Sequence, residues 1–134
     1  MEWKNEIVTQ TLPVESIWVD LRGLIQRLEK YDIGSIEVLF GFAWGNYFLN
    51  WQPLNISPRS LEKEIRKAEE QEAGELGDHD LFITVKEFDL HIQYCHESDI
   101  HLSYNETNIF VEETVNSWEN SSWELLRYQN DPKK

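Results

Sequence analysis

A chain of 134 residues with 40% hydrophobic and 13% aromatic content is long and apolar enough for one folded domain, and too rich in Trp, Phe and Tyr to stay disordered. Twelve Lys and Arg against 25 Asp and Glu give a formal net charge of −13, a field that repels nucleic acid and anionic membranes and attracts basic partners. The one cysteine, Cys95, excludes an internal disulfide; no window reaches the roughly 18 apolar residues of a membrane span, and Met1-Glu2-Trp3-Lys4-Asn5-Glu6 lacks the basic and apolar regions of an export signal, so the expected setting is soluble and cytoplasmic.

Glu15 to Tyr31 sets Ile17, Trp18, Leu21, Leu24, Ile25 and Leu28 on one helical face. Pro13 precedes it, Glu15 and Asp20 lie toward its positive end, Arg27 and Lys30 toward its negative end, and Gly34 follows. The period then shortens to two: Ser35 to Phe42 alternates Ile36, Val38, Phe40 and Phe42, and Asn46 to Gln52 supplies Tyr47, Phe48, Leu49 and Trp51. With Gly45-Asn46 as reversal residues, these two strands predict a hairpin.

Ser57-Pro58 predicts the start of a second helix. Its stripe of Leu61, Ile65, Ala68 and Glu72 holds only three apolar residues, which predicts a superficial helix with Glu62, Lys63, Glu64, Arg66, Lys67, Glu69 and Glu70 solvated. Gly74 to Asp80 reads as a loop. Leu81 to Val85, Phe88 to Tyr94 and Ile100 to Tyr104 predict three antiparallel strands. Pairing Tyr94 with Leu102 keeps their apolar residues on one face, and pairing Gln93 with His101 is the alternative register. Phe110 to Trp118 predicts a helix on Val111, Val115 and Trp118, Ser122 to Tyr128 a short element of either type, and residues 129–134 a frayed tail. The order predicts a single acidic α+β domain over residues 1–134, an antiparallel sheet of about five strands with two to three packed helices.

His91, Cys95 and His101 fall on the polar face of the predicted hairpin and have ligand chemistry. In the Tyr94–Leu102 register, His91 lies about 13 Å along the strand from Cys95 at about 3.3 Å per residue. Zinc ligands approach to about 2.0 to 2.3 Å, so the three cannot share an ion there, and neither a metal nor a cofactor is expected. Cys95 and His101 suit a nucleophile and its base, but no Gly-rich oxyanion loop accompanies them. His79 between Asp78 and Asp80 reads as a solvated triplet, and Gly41-Phe42-Ala43-Trp44-Gly45 lacks the Lys and Ser/Thr of a nucleotide loop.

From Glu87 to Leu126 the chain has no Lys or Arg and nine carboxylates: Glu87, Asp89, Glu97, Asp99, Glu106, Glu112, Glu113, Glu119 and Glu124. Trp18, Trp51 and Trp118 are expected in the core, and Trp3, Trp44 and Trp123 near turns or ends. An acidic run carrying Trp fits the anchor-and-steer pattern of a protein that captures a basic partner. The expected function is therefore a non-catalytic binding protein, a monomer or weak dimer, with an inhibitor or immunity protein against a nuclease-like toxin as its concrete form. The expected partner-binding residues are Glu106, Glu112, Glu113, Glu119, Trp118, Trp123 and Glu124. The alternatives are a small enzyme or small-ligand domain with an aromatic pocket near His91, Cys95 and His101, and a nucleic-acid mimic that blocks a DNA-binding protein.

Overall fold

Alternating apolar residues build the sheet on which everything else rests. The computed structural model describes residues 3–40, 54–72 and 74–129. It places β1 at Asn5–Thr9, α1 at Val14–Lys30, β2 at Ile36–Phe40, β3 at Leu54–Ile56 and α2 at Leu61–Glu70. There follow β4 at Leu81–Val85, β5 at Leu90–Tyr94, β6 at Ile100–Tyr104, α3 at Ile109–Asn120 and β7 at Leu125–Gln129. The strands form one sheet in the order β3-β2-β4-β5-β6-β1-β7, antiparallel at every pairing.

The fold is α+β as expected, with seven strands in place of about five. Among the described residues β2, β4, β5 and β6 answer to expected strands, β1 and β3 were not expected, and β7 resolves the element of either type expected over Ser122 to Tyr128. Gln129, expected in a frayed tail, ends β7. The predicted strand Asn46–Gln52, its Gly45-Asn46 turn, Trp44, Trp51 and residues 130–134 lie outside the described residues. Among those residues β2 pairs with Leu54–Ile56 on one side and β4 on the other.

One face of the sheet carries Ile36, Val38, Phe40, Leu81, Ile83, Leu90, Ile92, Tyr94, Ile100 and Leu102, and it joins the buried stripes of all three helices in a single cluster. Leu61 and Ile65 are fully buried, so α2 is an integral part of the core and not superficial. Its stripe is short because the helix itself has only ten residues. One of its charged positions is also structural: the Glu69 carboxylate accepts the Leu76 N–H at 3.1 Å and pins the loop that follows. Glu69→Lys should therefore cost about 1 to 2 kcal/mol in urea unfolding, whereas the exposed Glu70→Lys should stay within about 0.5 kcal/mol.

Each helix ends on a non-glycine residue in the left-handed region, Asp32, Glu72 and Ser122 at φ 56°, 58° and 64°. After α1 and α3 the next residue's N–H closes on a carbonyl five back, Ile33 to Leu28 and Trp123 to Trp118, which tucks Ile33 and Trp123 against the core.

β5 and β6 pair Gln93 with His101 and Tyr94 with Ile100, the alternative register and not the Tyr94–Leu102 pairing. The turn decides it. Cys95 N–H donates to the Asp99 carbonyl at 2.9 Å, Ser98 N–H to the Cys95 carbonyl at 2.9 Å, and Ser98 takes φ 63°. These bonds centre the reversal on Glu97, whereas the Tyr94–Leu102 register would centre it on Ser98. Two rows of side chains then cross the other face of the sheet: Leu39, Phe82, Gln93, His101, Val8 and Leu126 in one, Glu37, Thr84, His91, Ser103, Glu6 and Tyr128 in the next.

Candidate functional site

Four segments distant in sequence meet at one end of the sheet. Leu12 N–H donates to the Ser98 carbonyl at 2.7 Å, Ser98 Oγ to the Gly77 carbonyl at 3.2 Å, and Gln10 exchanges hydrogen bonds with Glu124 at 3.0 and 2.8 Å. Residues 10–15, 74–80, 95–99 and 123–124 thus form one surface, and Glu15, Glu75, Asp78, Asp80, Glu97, Asp99 and Glu124 give it seven carboxylates with no Lys or Arg. Among the described residues, Arg22 and Arg66 meet Glu62, Arg59 meets Glu29 and Lys86 meets Glu37, and of these four cations Arg22 also lines a groove with Glu15 and Trp123. The molecule is polarised: mixed and self-paired over α1 and α2, acidic at the β5–β6 turn.

Within this end the turn is held by a dense polar cluster. Asp80 Oδ1 accepts from the His96 backbone N–H at 2.8 Å and from Gln93 Nε2 at 3.1 Å, and lies 3.0 Å from His96 Nδ1. Burial opposes the Asp80 charge, but these hydrogen bonds outweigh it and hold its carboxyl below the ordinary range. The same contact raises the His96 imidazole above its usual value. On the other side of the turn, His101 lies with Nδ1 3.0 Å from Glu6 Oε2 and Nε2 3.0 Å from Asp99 Oδ1. Cys95 lies between the two groups, 4% exposed, with burial pushing its thiol up to about 11. A buried thiol that keeps its proton at neutral pH is a poor nucleophile.

His91 does not join them. Its Nδ1 meets Thr84 Oγ1 at 3.0 Å, and its ring stacks near Trp3 and Phe82 at 6.2 and 5.7 Å between centroids. Burial there lowers its pKa. The predicted trio of His91, Cys95 and His101 is thus divided between a stacked aromatic environment and the turn cluster.

The expected partner-binding residues fall in several places. Trp118 is 1% exposed, with its indole N–H donating to Asp20 Oδ1 at 2.7 Å, so it is a core residue with no surface to offer. Glu113 accepts from Lys30 Nζ at 2.9 Å and Tyr31 Oη at 2.7 Å, which lowers its pKa, and Glu119 pairs with Arg127 at 3.2 Å. Glu112 and Arg127 both line a small cavity of about 190 Å³. Glu106 is exposed where β6 leads into α3. Only Glu124 and the half-buried Trp123 belong to the acidic end.

Trp123 also walls a groove of about 620 Å³ between α1 and the end of α3, with Glu15, Asp20, Arg22, Gln26, Ser117 and Ser121. Gly23 faces its open space, where an added Cβ would meet nothing within 4 Å. At its floor Asp20 accepts from Tyr94 Oη at 2.8 Å and from Trp118. Burial raises the Asp20 carboxyl, only partly offset by those two bonds. The folded chain therefore keeps that proton more readily than the unfolded chain. The stability this contributes is present below the ordinary carboxylate value and falls as pH rises through the raised one. Asp20→Asn can still accept from Trp118 and donate to Tyr94 Oη, but does not titrate. Urea midpoints from about pH 3 to about pH 7 should show the wild type losing ground to this variant as pH rises, and a pH-independent difference would contradict the assignment.

No family model, curated protein or solved structure matches this chain. Among the described residues, no helix is long and apolar enough to cross a membrane.

Proposed function

We propose that the chain is a non-catalytic protein that captures a basic protein partner through the acidic end of its sheet. The observation that carries this reading is the convergence of seven carboxylates from four segments with no Lys or Arg among them. Such an arrangement costs self-repulsion in the free protein, and a cationic partner relieves it. The charge sets approach rate and orientation, while half-buried Trp123 and the adjoining groove offer an aromatic wall against which a partner's Arg or Lys can stack. Glu106, Glu112 and Glu119 extend the field along α3, where Lys30 and Arg127 reduce it. Gathering at one end favours a compact basic site over mimicry of an extended phosphate backbone. An inhibitor of a nuclease-like toxin is the concrete form of this reading, because a nuclease presents that kind of basic cleft.

Titration of isotopically labelled chain with an oligo-arginine peptide maps the surface. Amide shifts should concentrate in residues 10–15, 74–80, 95–99 and 121–124 and fade with added salt. Shifts centred on α2, or spread evenly over the molecule, would refute the assignment.

A further inference from the structure

We propose that Cys95, Asp99 and His101 form a zinc site in the β5–β6 turn, with Glu6 as the residue that orients the histidine. One donor atom from each of the three lies within 4.8 Å of the others. Ligand atoms in a tetrahedral zinc site sit about 3.4 to 3.6 Å apart, given bonds of about 2.0 to 2.3 Å, so small side-chain rotations close the set. The backbone already fixes the spacing, because Cys95 N–H is bonded to the Asp99 carbonyl at 2.9 Å and His101 is locked by the Gln93 pairing.

His101 supplies the second argument. Its Nδ1 faces the carboxylate of Glu6 on the neighbouring strand β1, which leaves Nε2 turned toward Asp99. A carboxylate on one nitrogen with the other presented to a cation is the arrangement that orients histidine ligands in metal sites. The Asp99 and His101 side chains are 18% and 23% exposed, enough to admit an ion and little enough to retain it. A thiolate, an imidazole and a carboxylate together favour zinc over magnesium or calcium. One thiolate and one carboxylate also balance the charge of Zn²⁺, in a region with no Lys or Arg to compete.

Coordination requires the sulfur as thiolate and Nε2 without a proton, so the protons those atoms carry pass to solvent as the metal enters. Asp80 and His96 form a second set of donors within 4.8 Å around the same sulfur, with His96 Nδ1 at 3.7 Å from it. Asp80 is engaged by Gln93 and the His96 backbone, and the His96 side chain is 57% exposed, so they brace the turn and leave the fourth position to water. The site shares Asp99 with the acidic surface, but its argument does not rest on the partner reading, and a cobalt titration with no peptide present tests it separately.

Cobalt(II) titration of chelator-treated protein tests it. One equivalent should bind with a thiolate-to-cobalt charge-transfer absorption, and zinc should abolish that absorption by displacement. His101→Gln and Asp99→Asn, each checked for a native circular dichroism spectrum, should weaken binding at least tenfold. Glu6→Gln should weaken it by about 10- to 100-fold while keeping the thiolate band. His91→Gln and His96→Ala should leave band and affinity unchanged. Cobalt bound without a thiolate band, affinity indifferent to His101→Gln, or loss of the band in His96→Ala would each overturn the proposed ligand set.

Discussion

Trp118→Ala should lower the free energy of unfolding by about 3 to 5 kcal/mol, the usual range for removing a large buried aromatic. Trp118 is among the largest fully buried side chains and lies on the inner face of α3. Its removal leaves a cavity that helix and sheet cannot both close. It also strips Asp20 of one of its two donors, leaving a buried carboxyl with Tyr94 alone. Trp118→Phe separates the two effects: it retains most of the volume and loses the N–H, and should cost about 1 to 3 kcal/mol. Urea unfolding with unchanged slope measures both. A midpoint unmoved by the alanine variant would mean that α3 does not pack as described.

Leu28→Ala should cost about 2 to 5 kcal/mol, because this side chain is fully buried on the α1 stripe and its carbonyl closes the helix by accepting the Ile33 N–H. The main-chain bond survives the substitution, so the loss measures packing alone. Val19 lies on the same helix, 67% exposed, and Val19→Ala should stay within about 0.5 kcal/mol. Similar losses at both positions would place the buried face of α1 elsewhere.

The elements legible in the sequence were those whose signals agreed at every level. α1 has an apolar stripe, a proline at its start and charges matched to its ends, and it lies within a residue of the expected bounds. β4, β5 and β6 alternate cleanly because one face of each is buried and the other polar. β1 gave no such signal: Ile7, Val8 and Thr9 are consecutive and all buried, Ile7 in the core cluster and Val8 on the other face of the sheet, flanked by β6 and β7. β7 reads Leu-Leu-Arg-Tyr-Gln, an edge strand held by a single neighbour, where burial imposes little pattern.

The β5–β6 register depended on the left-handed Ser98, which composition does not announce. The turn cluster was half visible. Cys95 and His101 drew notice as chemistry, but Asp99 counted only as a loop acid, and Glu6 enters from the other end of the chain through a strand pairing. The acidic surface shows the same limit. The longest cation-free run points to α3, yet folding sets two of its carboxylates beside Lys30 and Arg127 and gathers seven others from four separate segments that contain no Lys or Arg.

The most direct test is the affinity for an oligo-arginine peptide, at low and physiological ionic strength, of two triple variants. One is Asp78→Asn with Glu97→Gln and Glu124→Gln at the acidic end, the other Glu112→Gln with Glu113→Gln and Glu119→Gln on α3. Both remove the same formal charge from a chain of −13, so net charge alone predicts equal effects. The acidic-end variant should bind about tenfold or more weakly at low salt and show a shallower salt dependence, with the α3 variant changed by less than about threefold. Equal losses in the two variants, or a larger loss on α3, would contradict a docking surface at the end of the sheet.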